Sequence, residues 1–261
     1  MTQQAPKLSI LLVGESTGGK THSLRKLRNV LWLDAESMKE IPFRHDPSNK
    51  VKNITDPKEA LKFLRTINAK PELQEKYSGG IVLDSFSFLM SKYETQYINA
   101  PTVEDTRSAW GSYKQFILDI MDEVSKLTIP FIATVHLTEN LKSNKANALQ
   151  AAIAGSIGKK EGLEAYFSTI VHAMPVDVEM LEDGDHEKHA QGLLNISKRD
   201  KRKGVKYVYK LQHFGDDSDA TTALIRMSEQ VFEDGIIDED AQYMDNDITL
   251  LIERLHAFHT Q

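Results

Sequence analysis

Short, mostly apolar runs recur along the chain, and each stops at a small or polar residue. Leu8 to Val13 ends at Gly14, Val30 to Leu33 at Asp34, Ile81 to Leu83 at Asp84, and Phe131 to Val135 at His136. Runs of this length without alternation predict strands buried on both faces, as in a parallel sheet. Between them the spacing turns helical. Leu24 and Leu27 open one such segment. Leu61, Phe63, Leu64 and Ile67 give an apolar side to a helix from Pro57 to Ile67, with Asp56 as its N-cap. Trp110, Tyr113, Phe116, Ile117, Ile120, Met121, Val124 and Leu127 recur at spacings of three and four, predicting a helix within 102–127 that packs on the sheet. Alternating strands and helices predict an α/β fold, with a mostly parallel central sheet flanked by helices.

The pattern changes after Pro130. Residues 138–162 are polar, with small residues and glycines, and read as a long loop. A short helix and a strand from Thr169 to Met174 follow. V-D-V-E-M-L, L-L-N-I-S and V-K-Y-V-Y-K-L-Q read as further strands, the last alternating at Val205, Tyr207, Tyr209 and Leu211. K-R-D-K-R-K-G joins the last two, so a C-terminal β-hairpin is expected. Beyond Gly215 the chain is rich in Asp and Glu, then closes with an amphipathic helix from Ile248 to Phe258. The expected organisation is one domain over 1–215 and an acidic appendage over 216–261.

Composition narrows the classes. A hydrophobic share of 40% over 261 residues supports a substantial core. There is no cysteine, which excludes disulfides and thiolate metal sites. No apolar run reaches membrane-spanning length and the N-terminus lacks an apolar signal core, so a soluble cytoplasmic protein without membrane contact is expected. The net charge of -6 argues against a globally basic nucleic-acid binder but leaves room for a local basic site.

The chemistry concentrates at the strand ends. Gly14 to Thr21 spells G-x-x-x-x-G-K-T after a strand and before a helical segment, the context of a phosphate-binding loop. Gly14, Gly18 and Gly19 let the backbone approach phosphates, and the backbone N–H groups face the anion. Gly14, Glu15, Ser16, Thr17, Gly18, Gly19, Lys20, Thr21 and His22 are the candidate nucleotide-binding set. Lys20 is placed to reach the β- and γ-phosphates, and Thr21 to put its hydroxyl on Mg²⁺. Asp84 is the candidate second metal ligand, with Ser85 beside it. Glu36 is a candidate to orient the water attacking the γ-phosphate, or else a surface carboxylate. His136 is a candidate γ-phosphate sensor, or a histidine that only bonds its neighbours. Tyr93, Tyr97 and Trp110 could stack on a base or belong to the core. Lys142, Lys145, Lys159 and Lys160 in the long loop could bind a phosphate backbone. The densest basic cluster, Lys198, Arg199, Lys201, Arg202, Lys203 and Lys206, admits three readings: a nucleic-acid contact, a cation inserted into a neighbouring subunit's site, or a solvated tip.

Taken together, G-E-S-T-G-G-K-T, L-W-L-D-A-E, I-V-L-D-S and F-I-A-T-V-H resemble, in order and context, the RecA-type ATPase core over roughly residues 7–213. The resemblance implies a catalytic role for Glu36 and metal binding at Asp84 and Ser85. It implies a second DNA-binding loop near 138–162 and cations reaching across a subunit interface at Lys198 and Arg199. Where that family usually carries Gln at the end of the next strand, this chain carries His136. With so little ahead of its first strand, the chain looks most like phage-encoded RecA-like ATPases of single-strand annealing and recombination. That likeness implies ATP and Mg²⁺ as cofactors, single-stranded DNA as partner, a homo-oligomer, and phage replication or recombination proteins as associates. A helicase-like or partner-remodelling motor, and a nucleotide-gated module docking a partner through its C-terminal helix, fit the same core.

Overall fold

The apolar runs become neighbouring strands of a single sheet in the computed structural model, which describes residues 7–36, 40–139, 149–151, 163–214 and 224–260. The strands are β1 (Ser9–Gly14), β2 (Val30–Asp34), β3 (Lys50–Asn53), β4 (Gly80–Asp84), β5 (Phe131–Glu139), β6 (Leu149–Ala151), β7 (Thr169–Asp177), β8 (Val205–Lys210) and β9 (Tyr243–Asp245). Their order is β3-β2-β4-β5-β1-β7-β8-β9, with β6 paired to β5. All contacts from β3 through β7 are parallel, and β8 and β9 close one edge antiparallel. The sheet is therefore mostly parallel, as the non-alternating runs predict.

Because successive strand residues face opposite sides, each run feeds two layers. Leu11 and Val13 point to a core shared with Leu31, Leu33, Ile81 and Leu83. Ile10 and Leu12 point the other way, to Trp32, Val82 and Ile132. The first layer is covered by α2 (Pro57–Asn68), α4 (Phe86–Tyr93) and α5 (Thr106–Ser125). Asp56 caps α2 through Lys58 N at 2.9 Å, as its position before Pro57 suggests. Asp105 caps α5 through Arg107 N at 3.0 Å and Ser108 N at 3.1 Å, which starts that helix inside the expected 102–127 stretch. A short helix α3 (Pro71–Lys76) precedes β4.

The C-terminal third departs most from expectation. Val178–Asp183 forms helix α6 where a strand is expected, and α7 (His186–His189) follows. The basic run is not a hairpin tip. Lys198–Lys203 forms helix α8, because Ser197 and Asp200 make a reciprocal capping box and Gly204 ends the helix at φ 71°. Capping chemistry overrides the turn that the charge run suggests. The antiparallel pair at this edge is β7 with β8, bridged by these helices. Part of the expected loop 138–162 is strand: β5 continues to Glu139 and pairs with β6.

Residues 224–260, the described part of the expected appendage, pack into the main fold. β9 adds to the sheet through β8. Helices α9 (Gln230–Glu233) and α10 (Ile248–Thr260) send Val231, Ile248, Leu251 and Leu255 into the layer of Leu12 and Trp32. Among the described residues no helix is long and apolar enough to cross a membrane.

Leu251 has no exposed surface. Leu251→Ala should cost about 2–5 kcal/mol of global stability. Urea unfolding checks this: one shifted cooperative transition is expected, and a separate early transition for the C-terminal helix would contradict shared packing.

Candidate active site

Parallel strands present their C-terminal ends on one edge, where α/β sheets take their ligands. Two register pairs bring the candidates together here. Gly14 of β1 lies opposite His136 of β5, and Asp34 of β2 opposite Asp84 of β4. Since β5 runs between β1 and β4, His136 stands between the glycine-rich loop and the carboxylates.

The loop is shaped by close backbone approach. A Cβ on Gly14 or Gly18 would collide with the carbonyl of Ala173 on β7. Gly19 sits at φ 88°, a left-handed conformation that favours glycine. The helix after it, α1 (Lys20–Ser23), is a single turn, shorter than the helical segment expected from Leu24 and Leu27. Its macrodipole is correspondingly small, so the loop's own N–H groups must supply most of the anion attraction.

Lys20 is 5% exposed. Its ammonium donates to the carbonyls of Gly14 at 2.8 Å and Glu15 at 2.7 Å, and lies 3.4 Å from His136 Nδ1. Burial lowers its pKa to about 8, against the opposing pull of Asp84, Glu36 and Glu15. His136 Nε2 is 3.4 Å from Glu36 Oε1. A protonated Lys20 can only donate, so the tautomer satisfying both contacts has Nδ1 accepting and Nε2–H facing Glu36. The His136 backbone N–H donates to Ser87 Oγ at 3.0 Å, fixing the strand end.

Asp84 is buried beneath the loop. Its Oδ1 accepts from Thr134 Oγ1 at 2.5 Å, and the Thr21 hydroxyl also bonds it. Burial pushes its pKa up to about 6, with Glu36 and Asp34 adding to the rise and the two threonines opposing it. A divalent cation would relieve that stress. Thr21 and Asp84 are two hard oxygen donors of the type Mg²⁺ takes, so the residues fit the ion. Ser85 instead caps α4, accepting from Phe88 N at 3.3 Å.

Lys20, Thr21, Glu36, Asp84 and His136 all line one cavity of about 280 Å³, together with Ser16, Thr17, Gly19, His22 and Asp34. Glu40, Ile41 and Pro42 form another wall. His22 packs edge-on to Phe43, at 6.2 Å between ring centroids. A roomier groove of about 630 Å³ between α2 and α5 holds none of the strand-end residues and none of this chemistry.

Other candidates lie elsewhere. Lys198, Arg199, Arg202 and Lys203 are exposed on α8 and do not line the cavity. Within the same cluster, Lys201 pairs with Glu182 at 2.5 Å, and Lys206 with Asp245 at 2.8 Å. Tyr93 and Tyr113 are buried with Phe116 in the helical layer, and Trp110 packs against it, so the aromatic stripe is core. Lys142, Lys145, Lys159 and Lys160 fall outside the described residues. Sequence reasoning missed Thr134, although a hydroxyl two positions before His136 in an apolar strand faces the same side. It also missed Asn246, whose amide meets the loop from far along the chain.

A parallel α/β sheet with this loop on one strand, and carboxylates on the ends of neighbouring strands, defines a P-loop NTPase-type fold. The AAA domain family profile matches residues 6–213, most of the chain, and the chain belongs to that family. No curated protein matches it. Among solved structures it is similar to one described as the RadB recombinase, at 14% identity and a TM-score of 0.39, covering 66% of this chain and 76% of that one.

Lys20 gives a pH prediction. With a free-state pKa near 8, a bound phosphate raises it by favouring the ammonium, so binding takes up protons around pH 8. Nucleotide affinity should fall as pH rises from 7 to 9. Calorimetry at pH 8 in buffers of different ionisation heats measures the uptake. Binding heats independent of buffer would contradict it.

Proposed function

We propose that the protein binds and hydrolyses ATP with Mg²⁺, and couples this to single-stranded DNA in phage-type recombination, annealing or replication. One observation carries the ATPase reading: Lys20, Thr21, Glu36, Asp84 and His136, from four separate strand ends and loops, face one cavity. Hydrolysis is phosphoryl transfer to water, in which the water oxygen bonds to the γ-phosphorus as the bond to the bridging oxygen breaks. Mg²⁺ supplies charge neutralisation on the phosphates, and Thr21 and Asp84 are the residues that would hold it. Lys20 and the loop N–H groups stabilise the charge that develops on the transferred group. Glu36 orients the attacking water.

His136 reports the γ-phosphate through the contacts it already makes. Its Nδ1 faces Lys20 and its Nε2 faces Glu36. When Lys20 turns to a phosphate, one of these contacts is lost and the other adjusts. The sensor thus links the phosphate-binding cation to the water-orienting carboxylate. His22, which lines the cavity and packs edge-on to Phe43, offers a ring against which a base could lie.

The DNA reading is supported by the exposed cations of α8, Lys198, Arg199, Arg202 and Lys203, together with the four lysines of the 138–162 stretch. In an oligomer, Lys198 and Arg199 would serve instead as cations offered to a neighbouring subunit. The resemblance of the strand-end motifs to the RecA-type core favours both single-stranded DNA and self-assembly.

ATP turnover measured with and without single-stranded DNA, at two salt concentrations, tests the coupling. Stimulation that fades with salt is expected. Turnover indifferent to DNA would move the function to a protein partner. Two variants test the site itself. Lys20→Ala should abolish turnover. Glu36→Gln should lower kcat by about 10²–10⁴ while nucleotide still binds. Wild-type rates in either variant would remove that residue from the mechanism.

A further inference from the structure

The phosphate loop is held from two sides. On one side Gly14 and Gly18 lie against the Ala173 carbonyl. On the other lies the end of β9, a segment 221 residues further along the chain from Arg25 and Lys26. Asn246 Nδ2 donates to the Gly19 carbonyl at 3.2 Å, and Ser23 N donates to the same oxygen at 3.0 Å. The backbone carbonyl of Asn246 accepts from Arg25 at 3.2 Å. Asp247, buried at 2% exposure, pairs with Lys26 at 2.5 Å and caps α10 through Thr249 N at 3.1 Å and Oγ1 at 2.7 Å. Burial alone would raise the Asp247 pKa. Lys26 and Thr249 outweigh it, and the carboxyl stays below its ordinary value. The two residues form a strap anchored on α10 and closed over the loop.

We infer that Asn246 is a positioning residue for nucleotide binding, acting through the Gly19–Lys20 peptide. The inference rests on the nucleotide reading given above. Gly19 adopts φ 88°, and glycine resists rotation of its flanking peptides less than any other residue. A loop that needs glycine there therefore needs an outside hold on the peptide. A trans peptide is planar, with its C=O and N–H on opposite sides. Two donors on the Gly19 oxygen fix the direction of the Lys20 N–H, one of the loop donors that face the phosphates. Glycine also makes room for the strap, because a Cβ at position 19 would collide with the Asn246 amide and come within 2.9 Å of Tyr207 Cδ1.

The test uses the full chain with Asn246→Leu, which keeps the branched side-chain skeleton and removes the donor, and Asn246→Ala, which removes the donor without adding bulk. Dissociation constants for MgATP and MgADP, steady-state KM and kcat, and melting temperature are measured for each, beside wild type and Lys20→Ala. A rise of about tenfold in KM and in both dissociation constants is expected, the equivalent of about 1.4 kcal/mol, with kcat within about twofold of wild type. Wild-type affinity in both variants overturns the inference. So does a lower kcat at unchanged KM, which marks a loss of folded protein rather than of loop geometry. A wild-type protein that binds no nucleotide would bring down the nucleotide reading itself, and is distinguished by Lys20→Ala then having no binding to lose.

Discussion

A lysine ammonium held at 5% exposure is the constraint from which the site follows. Removing such a charge from water is costly unless hydrogen bonds and opposite charges compensate. Two loop carbonyls and the carboxylates of Glu15, Glu36 and Asp84 do so here. That compensation requires the ends of β1, β2 and β4 to be within reach of one another. The strand order brings them there, with β5 between, so the topology and the site satisfy the same condition. The compensation is partial, since Lys20 is still pulled down to about 8 and Asp84 pushed up to about 6. A charged phosphate and a divalent cation would complete what the protein leaves incomplete.

The glycines of the loop act as contact surfaces as much as hinges. Gly14 and Gly18 rest on a carbonyl of β7, and Gly19 on a side chain from the end of β9. Because β7, β8 and β9 adjoin one another, the loop is braced by the antiparallel edge of the sheet. Lys206, part of the basic cluster in the sequence, is spent on this brace through Asp245. The acidic C-terminal stretch is thus partly structural. Asp245 and Asp247 each neutralise a specific cation.

Several elements were legible in the sequence because their signals are local. The apolar runs ending at Gly14, Asp34, Asp84 and His136 declared strands buried on both faces, and the fold has them. The cap at Asp56 and the apolar periodicity of α2, α5 and α10 declared helices. The glycine-rich loop was readable because its residue types are set by backbone geometry within a single turn. Where the sequence misled, two local signals competed. The run 198–203 carries turn-like charge, but Ser197, Asp200 and Gly204 specify a capped helix. Beyond the compositional break at Gly215, the apolar positions of α10 fill a layer of the main core.

What the chain alone determined is the set of reactive groups, and the strand or loop on which each stands. The tertiary structure decided which of them meet. Glu36 and His136 are 100 residues apart, and only the insertion of β5 between β1 and β4 sets them side by side. Asn246 shows the same limit, since nothing near it in the sequence marks it as a neighbour of Gly19. Secondary structure follows from forces between residues a few positions apart, and those forces leave a pattern in the sequence. Contact between distant strand ends depends on the order in which strands pair, and no single stretch of sequence encodes that order.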